Sequence, residues 1–139
     1  MKSGAKVFIK NEALGKYLFV LRDNKPGIAD PNCWGLVGRG VENNESPSEA
    51  LTREVLEEVG ISIFDLRLIH QMIVKHSVND KNFEVHGYYF SAKTDASLDE
   101  IKLNEGQKAS FFTLDEIASK DNLAIALKEI LLNHRNILE

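Results

Sequence analysis

A dense group of carboxylates lies between residues 45 and 61, in the sequence ESPSEALTREVLEEVGI. Glu54, Glu57 and Glu58 stand at positions i, i+3 and i+4, so in a helix they would share one face. Carboxylates this close together repel one another unless a cation lies between them. Hard divalent cations such as Mg²⁺ and Ca²⁺ take oxygen ligands. The spacing therefore favours a divalent metal site on one face of a helix.

The same segment carries the signals that begin and end a helix. Ser46 and Glu49 have the spacing of a capping box, and Pro47 suits the first helical position. Gly60 suits the position after the last helical residue. An apolar stripe repeats every fourth residue and would face a core: Leu51, Val55 and Val59. The carboxylates are therefore predicted to lie beside the buried face of one short helix.

A glutamate-rich helix face is most often simply solvated. The joint pattern opposes that alternative, because the segment resembles the box of the Nudix hydrolases, which cleave diphosphates linked to another group. That box reads Gly, five residues, Glu, seven residues, Arg-Glu, an aliphatic, any residue, Glu-Glu, any residue, Gly, an aliphatic. The positions that match at the right spacing are Glu45, Arg53, Glu54, Val55, Glu57, Glu58, Gly60 and Ile61.

The resemblance implies a role for individual residues. The implied ligands of an Mg²⁺ or Mn²⁺ ion are the carbonyl of Gly38 and the carboxylates of Glu54, Glu57 and Glu58. Glu58 would also be catalytic, together with Arg53, the cation that orients the carboxylates. Glu45 would support the loop-helix-loop that the box forms.

One position departs from the box. Its first glycine would fall at position 39, where this chain has Arg39 between Gly38 and Gly40. Glycine in such a loop permits a positive φ or a close backbone approach. Arg39 therefore requires an ordinary backbone conformation or a reshaped loop. It is also a candidate substrate-binding residue, because guanidinium groups bind phosphate well; a tolerated surface arginine is the alternative.

A second element lies outside the box. The segment Leu103 to Gln107 resembles the Glu-Gly-Gln element of MutT-like members of the family. The resemblance implies that Glu105 reaches the metal or helps to activate water, as a general base can. The alternative is a glutamate on a surface turn.

Composition limits the other possibilities. The chain has 139 residues, which predicts one domain, and its formal charge of −4 argues against a nucleic-acid binder. It lacks a signal-peptide core and any apolar run of membrane-spanning length, so no membrane partner and a cytoplasmic setting are expected. Cys33 is the only cysteine and has no evident basic partner in the sequence, which disfavours a catalytic thiol. A homodimer is left open.

The remaining elements alternate between strand and helix patterns. Strands are predicted over 5–10, 16–22, 34–37, 63–76, 83–92 and 110–113, with a long loop over 23–32. Helices are predicted over 114–119, behind a capping box of Thr113 and Glu116, and from about Leu123 to Leu138. This order predicts an α/β fold with a mixed sheet and helices on both faces. The resemblance implies the same fold, the Nudix α/β/α sandwich.

The expected function is metal-dependent hydrolysis of a small-molecule nucleotide, in which water attacks phosphorus. Family members that cleave ADP-ribose often have a proline soon after the box, and those that cleave dinucleoside polyphosphates often have a tyrosine there. This chain has no proline after Pro47 and no tyrosine between the box and Tyr88, so the resemblance leaves nucleoside triphosphates and nucleotide sugars as the expected substrates. Phe83, Tyr89 and Phe112 are candidates to stack on a base, with a place in the core as the alternative. A Nudix-fold nucleotide-binding or regulatory module without hydrolysis is the alternative function.

Overall fold

A mixed sheet of seven strands runs through the centre of the chain. The structure is a computed structural model that describes all residues, 1–139. The strands are β1 (Lys2–Asn11), β2 (Lys16–Leu21), β3 (Trp34–Gly35), β4 (Val37–Gly40), β5 (Phe64–Val78), β6 (Lys81–Lys93) and β7 (Lys108–Phe112). β1 is parallel to β6 and antiparallel to β2 and β4, whereas β5 and β6 form a long antiparallel hairpin. β7 pairs with β2.

Helices cover both faces of this sheet. They are α1 (Pro47–Val59), α2 (Leu114–Ala118) and α3 (Ile125–Asn133), with short 3₁₀ turns at Leu98–Glu100 and Arg135–Leu138. Alternate residues of β1 point to opposite sides, as the two-residue period of a strand requires. Val7 and Ile9 pack in the core under α1, and Phe8 packs in the core under α2 and α3. The predicted α/β fold with helices on both faces is confirmed.

The predicted ends of α1 are also present. The Ser46 hydroxyl accepts from the Glu49 amide at 3.2 Å, and the Glu49 carboxylate accepts from the Ser46 amide at 3.1 Å. Gly60 ends the helix with φ 65°, a left-handed conformation that glycine adopts without steric cost. Leu51, Val55 and Val59 are fully buried, as their spacing predicts.

The last helix is shorter than predicted, and the interval from Leu123 to Leu138 was wrong at both ends. The Ala124 amide donates to the Trp34 carbonyl at 2.8 Å, so this segment extends beside β3 before the helix begins at Ile125. At the other end His134 leaves the helical conformation, with φ −135° and ψ 20°, and a 3₁₀ turn follows. The predicted apolar stripe nevertheless packs in the second core through Leu127, Ile130 and Leu131.

The predicted strand over 34–37 is divided, because Leu36 separates β3 from β4. β4 pairs with β1, where Gly38 lies opposite Lys6 and Arg39 lies opposite Ala5. Gly38 has φ 134°, and a Cβ atom there would lie 2.0 Å from the Ala5 carbonyl oxygen. Only glycine therefore fits at position 38. Arg39 is extended and is not among the residues with positive φ, so it has the ordinary backbone conformation that its side chain requires.

Candidate active site

Arg53 is the centre of the acidic cluster on α1. Its Nε and Nη2 atoms donate to the Glu45 carboxylate at 2.9 and 3.0 Å, and Nη1 donates to Glu54 at 2.7 Å. Glu57 and Glu42 lie 3.4 and 3.5 Å from the same guanidinium. The bonds from Arg53 hold the pKa of Glu45 below its usual value, and those bonds in turn raise the pKa of Arg53. One guanidinium thus offsets the repulsion among four carboxylates and fixes their orientation.

Glu58 is separated from this group. Its side chain is 16% exposed, and Nε of Arg39 lies 3.2 Å from its Oε1 atom. The Gly38 amide donates to Oε2 at 3.4 Å. Burial raises the pKa of Glu58, while the positive charge of Lys6 and the bond from Gly38 act in the opposite direction. The box glutamates are therefore divided between two arginines, Arg53 and Arg39.

Arg39 also forms an ion pair with Glu105, so the structure brings together Arg39, Glu58 and Glu105. The loop that carries Glu105 is fastened on both sides of this residue. The Asn104 amide donates to the Glu58 carbonyl at 2.9 Å, and the Gln107 amide donates to the Leu21 carbonyl at 2.8 Å. These bonds place a residue that is distant in sequence beside the end of α1.

Gln107 explains why glutamine follows the Glu-Gly pair. Its side-chain amide donates to the Arg22 carbonyl and to the Asn32 side-chain oxygen, each at 2.8 Å. Arg22 directly precedes the long loop over 23–32 and Asn32 is its last residue, so Gln107 fixes the base of that loop. Gly106 has φ 94°, and a Cβ atom there would lie 2.8 Å from the Val20 side chain. The glycine thus lets the loop approach β2 closely.

Lys6 is a site residue that the sequence analysis missed. Its Nζ atom donates to the Gly38 carbonyl at 2.7 Å. Burial, followed by the charge of Arg22, lowers the pKa of Lys6 to about 8. The available signal was a lysine within the apolar run of β1, between Ala5 and Val7. A charged side chain at such a position needs a partner, and only the fold shows which one it has.

A charged cavity of about 310 Å³ is lined by Lys6, Arg39, Glu58 and Glu105. Gly38 lines it as well, but Glu54 and Glu57 do not. Its lining includes the cationic side chains of Lys6, Arg22, Lys25 and Arg39 and the acidic side chains of Asp23, Glu58 and Glu105. Arg22, Asp23 and Lys25 were not predicted as site residues, because nothing in the local sequence marks them as facing a cavity. Cations outnumber anions there, which suits a polyanionic ligand.

A second cavity, of about 250 Å³, adjoins the first. The two share Lys6, Arg22, Leu36 and Arg39 as lining residues. The remaining walls of the second cavity are largely apolar and come from β5, β6 and α3, including Val74, Phe83, Val85, Tyr89 and Leu127. A ligand with an anionic part and an apolar part could therefore occupy both cavities across the shared cations.

The aromatic candidates have different positions. Phe83 is 37% exposed and lines the apolar cavity, where its ring stacks on His76 with 5.5 Å between centroids. Tyr89 is buried in the core and reaches the same cavity. Phe112 packs edge-to-face on Trp34, with centroids 5.1 Å apart, and lines neither cavity. Its contacts are those of a core residue.

The predicted metal ligands are all oxygen atoms, namely one carbonyl and three carboxylates, which are the ligands that Mg²⁺ prefers. Their chemistry therefore fits the ion that the sequence implies. In the arrangement described, Glu54 and Glu57 contact Arg53, while Glu58 contacts Arg39 and the Gly38 carbonyl contacts Lys6. No group of three or more His, Cys, Asp or Glu side chains is arranged to hold a metal ion.

Cys33 lies outside both cavities, and its Sγ atom contacts the Pro31 carbonyl at 3.5 Å. Burial raises the pKa of this thiol, which is opposite to the change that activates a nucleophile.

No helix of the structure is both long and apolar enough to cross a membrane.

The fold is shared with several solved structures. A MutT protein from Methanosarcina mazei Go1 is 22% identical with a TM-score of 0.78, over 99% of this chain and 95% of that one. A MutT Nudix hydrolase from Burkholderia pseudomallei is 23% identical with a TM-score of 0.74, over 96% and 97% of the two chains. The dihydroneopterin triphosphate pyrophosphohydrolase of E. coli is 18% identical with a TM-score of 0.66, over 94% and 95%. At these identities the likeness establishes the fold.

The family is established by the domain model. Residues 2–133 match the NUDIX domain, so the chain belongs to the Nudix family. It is a hydrolase that acts on phosphoric anhydrides, in compounds that contain a nucleoside diphosphate linked to another group. A comparison with curated proteins gave no match.

Proposed function

We propose that this chain hydrolyses a nucleoside triphosphate or a nucleotide sugar in the presence of Mg²⁺ or Mn²⁺, with water attacking phosphorus. The observation that carries the proposal is the junction of the two cavities, where Lys6, Arg22 and Arg39 line both. A diphosphate group would lie against these cations. The apolar cavity would then receive the nucleoside, with Phe83 and Tyr89 in its wall.

The proposed metal ligands are the Gly38 carbonyl, Glu54, Glu57 and Glu58. A bound Mg²⁺ ion would neutralise phosphate oxygens and make a water molecule more acidic. Arg53 would keep Glu54 and Glu57 oriented, through the contacts of 2.7 and 3.4 Å that it makes with them. Glu45 would support this arrangement, because its paired bonds to Arg53 tie the loop before α1 to the helix.

Glu105 is the proposed general base. Its side chain is 45% exposed and lines the charged cavity, so it can meet a water molecule there. Glu58 lines the same cavity and is far more buried. We therefore propose that Glu105 accepts the proton of the attacking water molecule and that Glu58 binds the metal ion. Arg39, where the family box has its first glycine, is proposed to contact a substrate phosphate.

A substrate panel tests the proposal directly. It would contain nucleoside triphosphates, nucleotide sugars, dinucleotides and dihydroneopterin triphosphate, the last because of the E. coli structure. Each would be incubated with Mg²⁺ or Mn²⁺ in ¹⁸O-labelled water, with products read by mass spectrometry. Label on one phosphate product would show attack at phosphorus and identify the bond cleaved. Turnover of a triphosphate or a nucleotide sugar, lost on removal of the metal, is the expected result.

The control is Glu58→Gln, which keeps the shape of the side chain and should abolish the same turnover. Binding of a nucleotide without turnover of any compound would contradict the proposal and favour the alternative, a nucleotide-binding module without hydrolysis.

We also propose a cytoplasmic protein of one domain that acts on small nucleotides rather than on nucleic acids, in line with its net charge of −4. A homodimer and a monomer would be distinguished by light scattering.

A further inference from the structure

Two cationic side chains of this chain contact oxygen atoms that the proposed function assigns to the metal site. Nζ of Lys6 lies 2.7 Å from the Gly38 carbonyl oxygen. Arg39 contacts Glu58 through Nε, at 3.2 Å from Oε1, and contacts Glu105 through Nη2. Arg39 therefore lies between two of the carboxylates of the charged cavity, Glu58 and Glu105.

The contacts of Arg39 with Glu58 and Glu105 depend on how three elements of the fold are held. The backbone of Arg39 is held in β4 opposite Ala5, and the preceding Gly38 is fixed by its close approach to the Ala5 carbonyl. Glu58 is mostly buried on the last turn of α1. The loop of Glu105 is held by the backbone bonds of Asn104 and Gln107. Three separate elements thus bring these side chains together.

A guanidinium between two carboxylates supplies the positive charge that a divalent ion would supply there. It also opposes such an ion, because two cations within a few ångströms repel each other and because the carboxylate oxygens are already engaged. Glycine, which the family box has at this position, places no charge there. The substitution therefore changes the electrostatics of the site as well as its backbone.

We propose that Arg39 is a built-in counter-cation that competes with the divalent metal ion for Glu58, that its ion pair with Glu105 holds it in place, and that it keeps the metal affinity of the free protein low. The inference rests on the proposed function for the identity of the metal ligands. It goes beyond that function by proposing a low metal affinity of the free protein and by assigning this property to one residue.

The test is a titration of metal-free protein with Mn²⁺ alone, with no substrate, in which the electron paramagnetic resonance signal of unbound Mn²⁺ reports binding. Arg39→Gln should bind Mn²⁺ about tenfold more tightly than the wild type, or bind one more ion, because a unit charge is removed within a few ångströms of the site. Arg39→Lys should stay close to the wild type, because it keeps the charge.

Arg67→Gln is the matched control. It removes the same charge from an exposed arginine on β5 that pairs with Asp65, so its Mn²⁺ binding should equal that of the wild type. The double variant Arg39→Gln with Glu58→Gln should lose the gain. Circular dichroism would verify that each variant is folded, and Arg39→Lys keeps the comparison usable if Arg39→Gln is not.

Equal Mn²⁺ affinities in the wild type and Arg39→Gln would overturn the inference, as would an equal gain in Arg67→Gln. Arg39→Lys with the affinity expected of Arg39→Gln would overturn it as well, since the charge would then be irrelevant. The two proposals fail separately. Hydrolysis of a panel compound with unchanged Mn²⁺ binding would reject the counter-cation alone, whereas tighter Mn²⁺ binding without any hydrolysis would reject the proposed reaction alone.

Discussion

Lys6 and Gly38 face each other across the β1–β4 pair, and the lysine ammonium donates to the glycine carbonyl at 2.7 Å. The bond pairs a partly buried positive charge with a backbone oxygen that has a second lone pair to offer. It also places Lys6 near Arg22 and Arg39, and all three cations line the charged cavity. These cations make the cavity suitable for a diphosphate.

Glu58→Gln should reduce turnover by orders of magnitude on a verified substrate, because it removes the charge of a proposed metal ligand and keeps the shape of the side chain. Steady-state kinetics at saturating metal would measure the loss. Glu84→Gln, on the exposed part of β6, is the control and should behave as the wild type. Near-normal turnover in Glu58→Gln would remove Glu58 from the catalytic group.

Glu105→Gln should lower kcat more than it changes KM, because activation of water acts mainly in the transition state. Both constants would be measured on the same substrate as for Glu58→Gln. An unchanged kcat would assign Glu105 to the loop surface. If KM alone changed, Glu105 would act on substrate binding through its ion pair with Arg39.

Arg39→Gly should raise KM if Arg39 contacts a substrate phosphate. The increase should be smaller at high ionic strength, because the arginine is half-exposed and salt screens such pairs. A comparison of both proteins at low and high salt measures this effect. Equal KM values at low salt would reject the phosphate contact and leave Arg39 with its two carboxylate partners.

Gly38→Ala should lower the free energy of unfolding by about 2 kcal/mol or more, since a non-glycine residue would be strained at φ 134° and its Cβ would lie 2.0 Å from the Ala5 carbonyl oxygen. Gly40→Ala is the matched control in the same strand, because its Cβ would meet nothing closer than the Ser3 carbonyl at 3.8 Å. Urea denaturation of both variants measures the difference. Similar free energies for the two would contradict the close packing of β1 on β4.

Glu49→Ala should lower the melting temperature at pH 7, because Glu49 caps the first turn of α1. Bonds from Ser46 hold the pKa of Glu49 below its ordinary value of 4.5. A carboxylate whose pKa is lowered by folding stabilises the folded state above its unfolded pKa, and that stabilisation is lost as the pH falls through the folded pKa. The difference in melting temperature between the two proteins should therefore be full at pH 7 and shrink below about pH 4.5. A difference that stays constant down to pH 3 would mean that the carboxylate charge has no part in the cap.

The sequence alone determined the elements whose signals are local. The capping residues, the apolar stripe of Leu51, Val55 and Val59, and Gly60 all lie within a few positions of one another, so chain spacing was enough to predict α1 and its carboxylates. The last helix was predicted too long because its apolar pattern continues past both ends of the helix. Its beginning depends on the contact of Ala124 with Trp34, which is distant in sequence and leaves no local signal.

The site was only partly determined in this way. Spacing grouped Glu54, Glu57 and Glu58 on one helix, but only the tertiary structure divided them between Arg53 and Arg39. It also brought Glu105 to Arg39, and it brought Lys6 to the carbonyl of Gly38 across 32 residues of sequence. A side chain's type is fixed by the sequence, whereas its partner depends on strand register and on packing between distant segments. The sequence was therefore enough to predict that the site consists of oxygen ligands. Only the fold shows which lysine or arginine contacts each of them.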